Sequence, residues 1–250
     1  SDSLVCQNDL VAFKNKSQGT NLSFKWEIDS SIQFSRNIEH MFNNVDEFDV
    51  KLYAIDLFGC EDSIIKKKKI KVEAFPETKF SGDLLYINCP PLTTLFIDSS
   101  ITTTLKWNWN FGDGTTSIAQ SPTHIYTNPG LYSVQLTTTN YAGCSDTLNK
   151  IDYIEIDGPN GSITYDTDTL CIPQKVIFKH QLKNTAYFIW NYGDGNLISY
   201  DYSNNKDSSI YIYQQGGNFQ PSLQLLDELN CSYTLPQLPI INGDSINANF

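Results

Sequence analysis

The chain has 250 residues, with 28 acidic against 17 basic side chains and a formal net charge of −11. That balance excludes nucleic acid and anionic membrane surfaces as partners, because both call for basic patches. No apolar run approaches the roughly 18 residues of a membrane-spanning helix, so no direct membrane insertion is expected.

Six cysteines punctuate the chain as three pairs, Cys6/Cys60, Cys89/Cys144 and Cys171/Cys231. Trp26 follows Cys6 at the same spacing as Trp109 follows Cys89, and Trp190 follows Cys171 one position closer. His40, His124 and Tyr211 precede Cys60, Cys144 and Cys231 at one identical spacing. The first cysteines, Cys6, Cys89 and Cys171, recur at an interval that varies by a single residue. The chain is therefore three copies of one unit. A unit a third as long as this chain buries limited apolar surface, and an even cysteine count at regular spacing reads as disulfides made in an oxidising compartment. There is no CxxC pair and no histidine cluster to hold a metal instead. Six cysteines allow many connectivities. The repeat selects the one inside each copy: Cys6–Cys60, Cys89–Cys144 and Cys171–Cys231.

The predicted elements are all strands. In the first copy Phe13 marks an early strand, and Leu22, Phe24, Trp26 and Ile28 alternate along the next. Phe48, Val50 and Leu52 alternate before Cys60, and Ile70-Lys71-Val72 lies in the last strand. The basic run Lys66 to Lys69 has no counterpart in the other copies and reads as a solvated or edge segment, where lysine discourages aberrant pairing. In the second copy the same places are held by Phe96, by Leu105, Trp107, Trp109 and Phe111, by Tyr132, Val134 and Leu136, and by Ile154-Glu155-Ile156. In the third they are held by Phe178, by Ala186, Phe188, Trp190 and Tyr192, by Phe219, Pro221 and Leu223, and by Ile240-Ile241. Period two puts each set on one face of a strand, and several short antiparallel strands with facing cores make a β-sandwich. Pro221 conflicts with this assignment, since proline belongs at edges and bulges. The expected domains are 1–74 (lacking most of its opening strand), 75–157 and 158–242, with 243–250 starting a further repeat. Ser1 lies close to the first cysteine and no signal peptide is read, so the chain is expected to be a piece of a longer secreted protein.

The second copy carries Trp109-Asn110-Phe111-Gly112-Asp113-Gly114, His124-Ile125-Tyr126, Pro129-Gly130 and Tyr132-Ser133-Val134. These residues resemble the polycystic kidney disease (PKD) domain, whose pattern is W-x-F-G-D-G followed by H-x-Y and G-x-Y-x-V. The third copy keeps Trp190-Asn191-Tyr192-Gly193-Asp194-Gly195 with Tyr211 and Tyr213. The first has lost both glycines, reading Trp26-Glu27-Ile28-Asp29-Ser30-Ser31. The resemblance implies tandem immunoglobulin-like sandwiches arranged end to end. The two-cysteine form resembles PKD arrays of very large bacterial surface proteins exported by type IX secretion, gliding-motility adhesins among them.

Several residues invite chemistry and are better read as structure. Asp113 and Asp194 are the weak candidates for a calcium site, but one carboxylate in a short turn falls far below the roughly six to eight oxygens that calcium takes. A position filled by His40, His124 or Tyr211 is a packing position, because a catalytic base would not survive that exchange. No Ser/His/Asp spacing, HExxH or phosphate loop is present, so no catalytic residue and no cofactor are expected. Tyr200 and Tyr202 fall in the longest insertion and are the candidates for a ligand contact. Asp followed by Ser or Thr and an aliphatic residue resembles an O-glycosylation signal of the suspected lineage, placing sugar on Ser3, Ser63, Thr147, Thr169 and Ser245. The expected function is a non-catalytic spacer in a large secreted cell-surface filament or adhesin. Its expected partners are neighbouring repeats of the same chain, surface glycans or other cell-surface proteins. The alternative is a carbohydrate- or protein-binding accessory array of a secreted hydrolase. A disulfide closing about 55 residues inside each copy would stabilise it by about 4 kcal/mol and limit how far it can be drawn out.

Overall fold

The computed structural model describes residues 3–101, 104–167, 171–202 and 207–243. Among them lie 24 strands, and no helix is long and apolar enough to cross a membrane. Pairing falls into three sets that follow the three copies.

The first set comprises β1 (Ser3–Cys6), β2 (Leu10–Phe13), β3 (Ser23–Ile28), β4 (Ser31–Gln33), β5 (Ile38–Met41), β6 (Glu47–Ile55) and β7 (Glu61–Glu73). They form a sheet in the order β1-β7-β6-β3-β4 and a two-stranded sheet β2-β5. Alternation works as the sequence predicts: Phe24, Trp26 and Ile28 on β3 turn inward with Phe48, Val50 and Leu52 on β6 and Ile70 and Val72 on β7, and Val11 and Phe13 of β2 pack against them. β1 pairs in parallel with β7 and covers only Ile70–Glu73 of it. Lys66 to Lys69 lie ahead of that cover, at the edge where lysine is expected.

The second set is β8 (Phe80–Gly82), β9 (Tyr86–Ile87), β10 (Leu92–Asp98), β11 (Thr104–Asn110), β12 (Thr116–Ser117), β13 (Thr123–Tyr126), β14 (Gly130–Asn140) and β15 (Ser145–Ile156). Its sheets run β13-β10-β8 and β12-β11-β14-β15-β9. The third set is β16 (Asn160–Thr167), β17 (Gln174–Lys183), β18 (Tyr187–Asn191), β19 (Leu197–Asp201), β20 (Ser208–Tyr213), β21 (Gly217–Phe219), β22 (Ser222–Leu226), β23 (Ser232–Thr234) and β24 (Ile241–Gly243). Its sheets run β16-β17-β20, β19-β18-β22-β23 and β21-β24. The architecture is all-β, with sandwiches of the immunoglobulin-like kind.

The conflict at Pro221 disappears here. The strand expected to run through it is two strands: β21 pairs with β24, and β22 pairs with β18 and β23. Proline sits in the break, where no ladder donor is required. The long last strands of the first two copies are likewise replaced in the third by the separate β23 and β24.

Tertiary contacts gather the chain into two compact units. One consists of Ser1–Ser81, Phe96–Pro122 and Val134–Lys150, the other of Gly82–Leu95, Thr123–Ser133 and Ile151–Phe250. Each unit thus contains one whole outer copy and one part of the middle copy. In the first unit Trp109 is fully buried, its ring centroid 5.1 Å from Phe80 and 5.5 Å from Phe96. In the second, Trp190 lies 4.6 Å from Phe178 and the core continues through Val176, Leu223 and Leu225.

Candidate functional site

Asp56, Asn140 and Asp227 each stand four residues before the later cysteine of their copy. In each copy the side-chain Oδ1 accepts hydrogen bonds from two backbone N–H groups, two and four residues on. The distances are 2.8 and 2.9 Å to Phe58 and Cys60, 2.9 and 3.0 Å to Ala142 and Cys144, and 2.9 and 2.8 Å to Leu229 and Cys231. The residue before each cysteine takes a positive φ: 84° at Gly59, 89° at Gly143 and 62° at Asn230. Glycine and asparagine reach that region at low cost. One turn, built three times, therefore aims the later cysteine.

Two of these three turns carry a disulfide, and its partner lies in the preceding copy. Cys6 is bonded to Cys144 and Cys89 to Cys231, each with Cα atoms 5.6 Å apart. The pairing expected inside each copy, Cys6–Cys60, Cys89–Cys144 and Cys171–Cys231, is thereby corrected. The reason is the parallel strand. Cys6 lies opposite Glu73 at the finishing end of β7, whereas Cys60 immediately precedes Glu61 at its start. The whole length of β7 separates them, which is roughly 40 Å at about 3.3 Å per residue. A disulfide needs Cα atoms within about 7 Å. Cys89 likewise follows Tyr86 and Ile87, which pair in parallel with the finishing end of β15, and Cys144 immediately precedes its start. The first cysteine of a copy thus sits where the chain leaves for the next copy. The second sits on a turn at the far end of the last strand. Cys60 is a free, exposed thiol, and Cys171 is exposed.

The linkers add polar contacts beside each bridge. Thr78 N donates to Asp146 Oδ2 at 2.9 Å, and its hydroxyl, which donates to the Asp146 carbonyl at 3.0 Å, lies 2.7 Å from that of Thr138. The Thr78 N–H holds the Asp146 carboxyl below the ordinary aspartate value, against the opposing effect of burial. Asn140 Nδ2 donates to the Ala74 carbonyl at 2.8 Å. At the second junction Gly158 lies so close to the bridge that a Cβ there would stand 3.4 Å from Cys231 Sγ and 3.3 Å from Pro129. The recurring Asp or Asn four residues before each later cysteine was a legible signal for the turn. Nothing local marked Thr78 or Asp146 as partners.

The other candidate residues resolve into structure. Asp113 Oδ1 accepts from Thr115 N at 3.0 Å and Thr115 Oγ1 at 2.6 Å, and Asp194 Oδ1 accepts from Asn196 N at 3.0 Å. Asp194 Oδ2 is held by Tyr211 Oη at 2.5 Å. Burial pushes the Asp194 carboxyl up, and hydrogen bonds from Tyr211 and Asn196 outweigh it, leaving the group below its ordinary value. Among the described residues no three His, Cys, Asp or Glu side chains converge as a metal site would require. His40, His124 and Tyr211 play one role: each meets the aromatic ring two residues on nearly edge-on, at 4.7, 4.6 and 4.9 Å.

Tyr200 and Tyr202 are half-buried rather than displayed. Tyr200 stacks on Phe188 at 5.1 Å, and Tyr202 flanks Phe188 and His180. Tyr202 also edges a cleft of about 700 Å³ with Thr164, Lys179, His180 and Asp207. His180 is buried there with neither ring nitrogen hydrogen-bonded, and burial lowers its pKa against the pull of Asp207. Of the glycosylation candidates, Ser63 and Thr147 are exposed at equivalent positions and Ser3 is half-buried on β1. Thr169 and Ser245, and nearly all of the 243–250 segment, lie outside the described residues.

The middle copy carries the W-x-F-G-D-G turn at residues 109–114. Residues 88–156 match the family model described as PKD domain. That stretch is similar to a PKD domain, and it covers the middle copy alone. Collagenase ColA of Bacillus cereus is 49% identical over 130 residues, covering 52% of this chain and 11% of that protein. The pre-pro-metalloprotease PrtV of Vibrio cholerae is 48% identical over 56 residues, covering 22% of this chain and 6% of that one. The crystal structure of the PrtV PKD1 domain aligns with 33% of this chain and 98% of its own length, at 31% identity and a TM-score of 0.29. The chain therefore spans only a small part of the curated relatives it matches.

Proposed function

We propose that this chain is a non-catalytic spacer of a secreted or cell-surface protein, built from PKD-like sandwiches at 1–74, 75–157 and 158–242 with a further one opening at 243–250. The setting it fits is a large filamentous adhesin exported by type IX secretion and serving gliding motility. The observation that carries the proposal is the register of the sulfur bridges, each joining the first cysteine of one copy to the second cysteine of the next. Bridges between copies do nothing for a catalytic pocket. They do keep a surface filament in one piece after a nick, because every peptide bond between Cys6 and Cys231 is spanned by at least one bridge. A specific cleavage site introduced at the exposed Phe75 tests this. The cut protein is expected to run as one species without reductant and as two fragments with it. Two fragments without reductant would mean that each copy is closed on itself.

A second reading is an accessory array of a secreted hydrolase, favoured by the match to a collagenase and a metalloprotease. The polar cleft beside Tyr202 is where a glycan or peptide would then bind. Retention of the chain on collagen fibrils or immobilised glycans, lost on Tyr202→Ala, would favour it over the spacer. Sugar on Ser63 and Thr147 belongs to either reading, and an intact mass equal to that of the bare chain removes it.

A further inference from the structure

The later-cysteine turn occurs three times, and in two of its occurrences the sulfur is buried in a bridge. Cys144 is 1% and Cys231 4% exposed. Cys60 stands on the same turn, with the same Oδ1 contacts from Asp56 and a matching bond from Asp56 N to the Cys60 carbonyl at 3.0 Å, yet its thiol is free and open to solvent. The backbone that aims the sulfur is already formed. What differs between Cys60 and its two equivalents is the copy that precedes it. Cys144 is met by Cys6 and Cys231 by Cys89, each placed at the exit end of the preceding sandwich. The alternative partner inside the first copy, Cys6, is already bonded and lies a full strand away.

We infer that Cys60 is one half of a third bridge, whose other half is the first-position cysteine of a PKD-like copy lying on the N-terminal side of residue 1. This deepens the spacer proposal and rests on it. The bridge forms by thiol–disulfide exchange: the two thiols lose two protons and two electrons to an oxidised dithiol catalyst, which leaves as the dithiol, and one S–S bond joins the copies. Its mechanical consequence is specific. With Cys60 engaged, the stretch from Cys60 to Cys89 becomes a direct covalent path from that upstream bridge to the Cys89–Cys231 bridge. That path runs along β7 and the linker after it, and it skips the Cys6–Cys144 bridge.

The test is a disulfide map of the full-length protein taken from its host, alkylated before any reduction and digested without reductant. The expected result is a Cys60 peptide linked to a peptide from outside residues 1–250, whose cysteine precedes a tryptophan at the spacing that Cys6 and Trp26, or Cys89 and Trp109, show here. Cys60 recovered as the alkylated thiol, or linked to a cysteine within residues 1–250, overturns the inference. The same map reports the Cys6–Cys144 and Cys89–Cys231 peptides. If they are present while Cys60 is alkylated, this inference alone fails; if they are missing, the spacer proposal fails with it.

Discussion

Two glycines of one motif illustrate how differently a single residue is constrained. Gly193 and Gly195 both have positive φ, 82° and 95°. A Cβ on Gly193 would lie 2.5 Å from the backbone nitrogen of Gln220, whereas one on Gly195 meets nothing within 4 Å. Gly195→Ala therefore faces backbone strain alone, about 1–2 kcal/mol. Gly193→Ala adds a clash with backbone that cannot rotate away, and should cost about 2–4 kcal/mol. Urea denaturation of the two variants measures the difference, and equal midpoints would contradict it. The tryptophans diverge in a similar way. Trp26 Nε1 donates to the Ser35 carbonyl at 3.1 Å and Trp109 Nε1 to Ala119 at 2.9 Å. Trp190 Nε1 is buried without an acceptor. The equivalent stretch of the third copy is occupied by β19, whose pairing with β18 uses the carbonyls otherwise. Trp109→Phe should accordingly be about 1 kcal/mol more destabilising than Trp190→Phe, because only the first loses an indole hydrogen bond.

At the scale of elements, the turn before each later cysteine is the device that matters. Asp227→Ala removes a charged acceptor from two backbone N–H groups and should cost about 1–3 kcal/mol. It should also slow recovery of the Cys89–Cys231 bridge on reoxidation, which a timed alkylation assay reads. The linker contact carries a pH signature. The Asp146 carboxyl lies below its ordinary value of 3.8 in the folded state. Its contribution is therefore complete above that value and is lost as pH falls through the lower, folded one. The stability gap between the native chain and Asp146→Asn should be constant above about pH 5 and close on acidification; a gap that widens in acid contradicts the assignment. Much of this level could be read from sequence. Phe24-Trp26-Ile28 and Phe188-Trp190-Tyr192 alternate, and burial follows them residue by residue. Pro221 conflicts with a continuous strand, and the chain is in fact split there into β21 and β22. The bridge partners were not legible, because one early and one late cysteine per copy satisfy the repeat equally whether they join within a copy or to the next. What decides is which end of the sandwich each occupies. That depends on β1 running parallel to β7, a pairing of Ser3 with Ile70 and of Cys6 with Glu73 that leaves no trace in local alternation.

At the scale of the whole chain the two bridges act as nodes. Between the Cys6–Cys144 node and the Cys89–Cys231 node run three covalent segments in parallel: Cys6 to Cys89, Cys89 to Cys144, and Cys144 to Cys231. The middle one is the shortest. Under tension it sets the limit, about 190 Å for about 55 residues at about 3.4 Å each. The other two must span the same distance as the nodes separate. Cys6 and Glu73 are paired across β1 and β7, so with the first copy folded only the stretch from Glu73 to Cys89 is available to that segment, roughly 55 Å. Beyond that separation the first copy must open together with the second. Pulling the oxidised chain from its ends should therefore give one cooperative release of no more than about 190 Å between the nodes. With reductant the copies are independent and should open separately, each releasing up to roughly 280 Å. Bridges closed within each copy would instead cap each copy's release under oxidising conditions at the stretch outside its loop, about 27 residues or roughly 90 Å. Force–extension traces on one preparation, before and after reduction, separate these outcomes. A single large event that splits into three on reduction is the signature of copies stapled to one another.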